Sequence, residues 1–185
     1  VLQLSDELNL ELMAKIAKAG REAAAGDGGA WTEHPGSAVV EKMLEAGRAG
    51  RLRGAGFYDY ADGKRGSIWS GLADLFPVAE EQPPIQDLRD RMLFAEALET
   101  AKCFEEGVIT SAAAANIGSI MGIGFPPQTG GAAQFMVGYE NKDTGEIGLS
   151  AFIARADELA AKYGDRFKAT DWLRQRAASG EGLPA

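Results

Sequence analysis

Apolar side chains recur at three- and four-residue steps through the opening of the chain, at Leu4, Leu8, Leu12, Ile16 and Ala19, with charged residues between them. That period is helical and predicts one amphipathic helix over residues 4–24, whose first amides Ser5 or Asp6 can cap. The glycine-rich run at residues 26–29 ends it. Pro35 then opens a second helix, because a first turn needs no amide partner at that position, and Val39, Val40, Met43 and Leu44 form its apolar face. Gly47 and Gly50 close it. The stretch that follows is dense in glycine and gathers Phe57, Tyr58 and Tyr60, so it reads as an irregular tail with one extended segment at residues 56–60. A short helix is expected over residues 68–76.

Residues 77–84, PVAEEQPP, are acidic and proline-rich; proline breaks helices and stiffens the chain, so this is linker chemistry. Beyond it a long helix over residues 85–106 aligns Ile85, Leu88, Met92, Ala95 and Leu98, with Phe94 and Phe104 continuing the apolar face. A second helix, capped by Ser111, runs to Met121 and into the glycine- and proline-dense residues 122–131. Further helices are predicted over residues 130–137, 149–163 and 169–178, with a turn at residues 141–145. A faint repeat lays the segment from Ala133 on the segment from Leu2, with Gln134 on Gln3, and Leu173 stands as far before Gly180 as Val40 before Gly47. The pattern therefore predicts an all-α chain of two related helical units, residues 1–76 and 85–185, joined by a linker at 77–84. The first unit lacks its opening helices.

Composition narrows the function classes. With 185 residues, 45% hydrophobic and 25% charged, the chain is ordinary globular protein. Its 27 acidic and 19 basic side chains give a net charge of -8, which repels phosphate backbones and anionic lipid and so argues against nucleic acid as a partner. No apolar run reaches the length of a membrane helix, about eighteen residues, and the first residues carry charges throughout, unlike a signal peptide. The lone Cys103 cannot form an internal disulfide and reads as a small buried side chain, which suits a reducing cytoplasm. The chain opens on Val1 with a helix already under way, as expected of a piece of something longer.

Candidate chemistry is sparse. His34 is the only histidine, and its place before Pro35 in a helix-start loop suggests a structural or merely exposed role. The pairs Glu96 with Glu99 and Glu105 with Glu106 resemble acid-base pairs, but on helices such charges usually form a solvated face. No spacing of cysteine, histidine and carboxylate suits a metal. The basic group Arg48, Arg51, Arg53, Lys64 and Arg65 could meet phosphates or an acidic neighbouring domain, with local solubility as the favoured explanation. The aromatics Phe57, Tyr58 and Tyr60 are expected to pin the tail onto the helical core. Around Gly122-Ile123-Gly124, Pro127 stands where a dinucleotide fingerprint needs its third glycine, and a helix precedes the pattern instead of a strand, so residues 122–131 read as an elbow between helices.

Three stretches carry a resemblance: GRLRGAGFYDY at residues 50–60, DRMLFAEALETAKCFEEGVI at 90–109 and GIGFPPQTGG at 122–131. Together they resemble the C-terminal region of bacterial multifunctional β-oxidation proteins, in which an enoyl-CoA hydratase is fused to an L-3-hydroxyacyl-CoA dehydrogenase. The resemblance implies that the parent oxidises L-3-hydroxyacyl-CoA to 3-ketoacyl-CoA with NAD and also hydrates enoyl-CoA. It implies that each helical unit follows a Rossmann domain, that the catalytic histidine and glutamate lie upstream of Val1, and that an active-site asparagine belongs to the missing opening helix. Asp90 stands at the matching position of the second unit, a departure that makes this unit look like a non-catalytic copy, standing where a second subunit packs in simple dimeric dehydrogenases. No catalytic, cofactor-binding or metal-binding residue is therefore expected in this chain, and alone it should be inactive. Implied partners are the upstream Rossmann and hydratase domains, the acyl-CoA substrate and a thiolase subunit, and the implied location is the cytoplasm. The basic group could then meet the phosphates of coenzyme A, and the aromatics could line an acyl pocket. One alternative is a pure interaction module that docks a thiolase; another is the helical domain of a different NAD-dependent dehydrogenase, such as a 6-phosphogluconate type, against which the three stretches weigh.

Overall fold

The computed structural model describes all of residues 1–185 and divides into two compact units, Val1–Glu80 and Glu81–Ala185. The chain is mostly helical, as the periodicity predicts, and none of its helices is long and apolar enough to cross a membrane.

In the first unit the expected single opening helix is two, α1 (Leu2–Leu8) and α2 (Leu10–Gly26). The break is Asn9, at φ 72°, a conformation asparagine tolerates better than most residues. Its Oδ1 accepts the Glu11 amide at 2.8 Å, and the next amide, Leu10, donates to the Ala49 carbonyl at 2.8 Å. The kink turns Leu10 fully into the core beside Val40, Met43 and Phe57. Beyond the kink the opening stripe stays outside, with Leu12 and Ile16 48% and 63% exposed. After α3 (Gly36–Glu45) the tail carries a turn of 3-10 helix at Arg51–Arg53 and then a hairpin, β1 (Tyr58–Ala61) and β2 (Lys64–Ile68), where one extended segment was expected. Strand β2 is exposed along its whole length and polar up to Ile68, so no alternation betrayed it. Its local signal is the Asp62-Gly63 turn, with Asp62 at φ 52° and Gly63 at φ 71°. The short helix expected over residues 68–76 contracts to α4 (Leu72–Leu75).

The second unit runs α5 (Ile85–Glu105), α6 (Ala112–Ile123), α7 (Ala132–Val137), α8 (Leu149–Tyr163) and α9 (Asp171–Ser179). Its core is aromatic: Phe94 of α5 stacks on Phe152 of α8 at 4.3 Å, with Phe135 and Tyr139 presenting their edges to the pair. Ser111 and Thr170 cap α6 and α9 by accepting the amides of Ala114 and Leu173. The buried face of α5 is not the Ile85-Leu88-Met92 line that the sequence suggests. Ile85 and Met92 are largely exposed, and the inward positions are Asp87, Asp90, Phe94, Ala97, Leu98, Ala101 and Phe104.

The elbow is built by α6 capping α7. Asn116 Oδ1 accepts the Gln134 amide at 2.9 Å and Ser119 Oγ accepts the Ala132 amide at 3.0 Å, so two orphan donors of the α7 start are satisfied from the helix before. Gly131 is required for this approach: its φ is 105°, and a Cβ there would lie 2.5 Å from the Asn116 Cα.

Candidate functional site

In the first unit the glycine-aromatic tail is held by one buried carboxylate. Asp6 of α1, expected as a helix cap, is fully buried and accepts the Phe57 amide at 2.8 Å, the Tyr58 amide at 3.0 Å and the Tyr60 hydroxyl at 3.0 Å. Gly56 has no side chain because a Cβ would collide with that carboxylate. Arg48 grips the same strand through its carbonyls: Nε donates to the Gly56 oxygen at 2.6 Å and Nη2 to the Tyr58 oxygen at 3.0 Å, while the guanidinium lies 4.4 Å over the Trp69 ring. Burial and the hydrogen bond to Asp6 push the Tyr60 phenol up to about 12. Phe57 completes the joint by entering the core, the packing role expected of the cluster.

This arrangement replaces the expected roles of the basic group. Arg48 also pairs with Asp59, Arg51 with Glu7 at 2.8 Å, Arg53 with Glu11 at 3.3 Å, and Arg65 with Gln3. Four of its five cations thus tie the tail to itself or to α1 and α2, and for Arg48, Arg51 and Arg53 a carboxylate already stands in the place a phosphate would take. An apolar cavity of about 360 Å³ opens between these helices, lined by Leu2, Met13, Ala17, Val39 and Phe57, with Arg21 and His34 also on its wall. His34 Nδ1 accepts the Gly36 amide at 3.0 Å, so the lone histidine helps start α3.

In the second unit Arg155 of α8 joins two buried carboxylates of α5. Its Nη2 meets Asp87 at 2.6 Å and its Nε meets Asp90 at 2.8 Å, while Nη1 reaches Glu158 at 2.8 Å. Asp87 further accepts from the Tyr163 hydroxyl at 2.7 Å, and Asp90 from Gln86 at 2.7 Å. The Arg155 and Tyr163 hydrogen bonds hold the Asp87 carboxyl down at about 2, against the opposing effect of burial. Burial disfavours the Arg155 charge, yet the hydrogen bonds of Asp87, Glu158 and Asp90 outweigh it and push its pKa up. Burial, and next the Asp90 charge, raise the Tyr139 phenol to about 12. These groups border a polar cavity of about 870 Å³ with Gln134, Asn141 and Lys142 on its wall. Asp90 is thus a packed ion-pair partner with its oxygens occupied, and no free base is presented.

Of the carboxylate pairs, Glu99, Glu105 and Glu106 are exposed as expected, and Glu99 pairs with Lys102 at 2.6 Å. Glu96 departs from the solvated-face reading: its Oε2 is buried with no hydrogen-bond partner, and burial raises its pKa. Cys103 is half-buried instead of buried. No group of three or more His, Cys, Asp or Glu residues gathers to hold a metal. The residues present do not fit a dinucleotide either. The two strands form an antiparallel hairpin, and Gly122-Ile123-Gly124 lies at the C-terminal end of α6, where carbonyls and not amides face outward.

Sequence reasoning missed Arg155 altogether and misplaced Asp6. A signal for the first existed: Asp87, Asp90, Phe94, Ala97, Ala101 and Phe104 follow one helical stripe, so the two aspartates extend the buried face and require a cation opposite.

Residues 1–60, from the start of α1 to the Tyr60 that holds Asp6, match the family model described as 3-hydroxyacyl-CoA dehydrogenase, C-terminal domain. Over most of its length the chain is similar to proteins named fatty acid oxidation complex subunit alpha. It is 37% identical over 150 residues to that of Pseudomonas entomophila, covering 77% of this chain and 20% of the relative. It is 36% identical over 154 residues to that of Pseudomonas aeruginosa, covering 79% and 20%, and 35% identical over 150 residues to that of Ectopseudomonas oleovorans, covering 77% and 20%. The chain spans about a fifth of the length of the curated relatives it matches.

Proposed function

Because residues 1–60 match the family model of the 3-hydroxyacyl-CoA dehydrogenase C-terminal domain, we propose that the chain is the C-terminal helical region of an NAD-dependent L-3-hydroxyacyl-CoA dehydrogenase within a multifunctional fatty-acid β-oxidation protein. Its role is to shape and support the substrate cleft. The nucleotide site, the catalytic groups and an enoyl-CoA hydratase activity belong to the part of such a protein that this chain does not span. The observation that carries the reading is the overlap of the family match with the Asp6 joint, since the matched residues run from the helix that supplies the carboxylate to the tyrosine that meets it. A cytoplasmic setting accords with the free thiol of Cys103. The relatives are named as subunits of a complex, and a thiolase is the partner expected of this one.

The test compares the isolated chain with the full-length protein that contains it, following NADH formation from L-3-hydroxybutyryl-CoA. The full-length protein should turn over, whereas the chain should neither turn over nor give saturable heat when titrated with micromolar NAD. Saturable NAD binding by the chain, or a full-length protein inert toward the hydroxyacyl-CoA, would overturn the proposal.

A further inference from the structure

One surface of the second unit stands apart from the dehydrogenase reading. Residues 107–139 carry no charged side chain, in a chain where 25% of residues are charged. Helix α6 lies within them and buries only Ala115 and Ser119, leaving Ile117, Met121 and Ile123 in solvent, with Met121 82% exposed. An exposed apolar face of this kind marks a surface made for contact.

Between α6 and α5 runs a groove of about 610 Å³ lined by Ile109, Ala115, Gly118 and Ile123, with Glu96, Thr100 and Cys103 along the α5 side. Nothing lies within 4 Å of where a Gly118 Cβ would stand, so another backbone can come close there. In this apolar setting Glu96 Oε2 is the one buried side-chain oxygen or nitrogen in the molecule without a hydrogen-bond partner. Buried polar atoms are otherwise satisfied in native proteins, and a carboxylate left alone in low dielectric calls for a cation. The unit itself supplies none: Lys102 is engaged by Glu99 at 2.6 Å, and Arg91 lies over the Tyr163 ring. Burial raises the Glu96 pKa, as expected where that counter-charge is missing.

We propose that the α5–α6 groove docks an amphipathic helix of a protein partner, one that lays apolar side chains against Ile109, Ala115 and Ile123 and seats a lysine or arginine from within its apolar face on Glu96. A helix suits the groove's length, because α6 extends roughly 18 Å at 1.5 Å per residue and so lies along about three turns of a partner. Charge chooses the occupant: the groove carboxylate and the net charge of -8 disfavour an anionic lipid surface or an acyl group carrying phosphates.

Two synthetic leucine-faced helical peptides of about five turns test this with the full chain. They have identical composition and net charge, and differ only in whether a lysine sits within the leucine face or on the polar face. The in-face peptide should bind about tenfold more tightly by fluorescence anisotropy, and it should slow the reaction of Cys103 with a thiol reagent severalfold, which places it in the groove. Glu96→Gln, with unchanged circular dichroism, should bring the two peptides within about twofold of each other, and Glu99→Gln should leave the preference intact. Equal affinities for the wild-type chain, no saturable binding by either peptide, unprotected Cys103, or a preference that survives Glu96→Gln would each overturn the proposal. The first of these needs no variant to fold. None of them bears on the dehydrogenase reading, whose test is turnover.

Discussion

The two units each bury carboxylates, and they neutralise them in opposite ways. Asp6 of the first unit meets two backbone amides and a phenol, all uncharged donors drawn from a tail fifty and more residues away. Asp87 and Asp90 of the second unit share one guanidinium between two helices. An amide-bound carboxylate fixes the path of a backbone, because the donors are the chain itself. A guanidinium-bound pair fixes the distance between two helices and makes stability depend on charge. The first device therefore suits a glycine-rich tail with little core of its own, and the second suits long helices already packed through Phe94 and Phe152.

The sharpest way to break this contrast is Arg155→Met, which strands two buried carboxylates at once. It should destabilise the second unit by about 3–5 kcal/mol and leave the first unit unaltered. Urea unfolding separates the two, since Trp172 reports the second unit and Trp31 and Trp69 the first. The pH dependence follows from Asp87, whose folded carboxyl is held at about 2, below its ordinary 3.8. A depressed folded pKa means stability that is present above pH 4 and lost as pH falls toward 2, amounting to about 2 kcal/mol. In Arg155→Met that acid-sensitive component should shrink, because only the Tyr163 hydrogen bond and the Lys162 charge then oppose burial; an unchanged acid limb would remove Arg155 from its role.

Asp6→Ala should come next, costing the first unit about 2–4 kcal/mol because the Phe57 and Tyr58 amides and the Tyr60 hydroxyl lose their acceptor together. Asp6→Asn keeps one acceptor oxygen and should recover part of the loss. In the alanine variant the Tyr60 phenol should titrate at lower pH than about 12, read by tyrosinate absorbance, since the neighbouring carboxylate that helps raise it is gone. A variant that melts normally would mean that the tail is held by Phe57 packing and Arg48 alone.

The smallest effect should come from Arg51→Gln, which removes an ion pair with Glu7 whose partners are both partly in water. A change within about 0.5 kcal/mol, shrinking further at high salt, is expected in the same urea experiment. A loss as large as that of Asp6→Ala would show that the surface pairs, and not the buried carboxylate, hold the tail to α1 and α2.

The sequence by itself determined the features whose causes lie within a turn or two of chain. The Ser111 cap, the α8 boundaries, the Pro35 helix start and the family likeness of the glycine-aromatic stretch are all local, set by propensity, capping and turn chemistry. Even the overlooked β2 had a local mark in Asp62-Gly63. Only the tertiary structure decided the rest. Helical periodicity sorts apolar from polar and assigns the polar residues to solvent, so it could not turn Asp6 inward or break the first helix at Asn9, and although Asp87 and Asp90 stand on the stripe of Phe94 and Phe104 it could not name Arg155 as their cation. The partners that make those choices stable stand 51 residues away for Asp6 and Phe57, and 65 for Asp90 and Arg155. A buried charge is favourable only once such a distant donor is in place, and that condition is met by the folded chain and by no stretch of it alone.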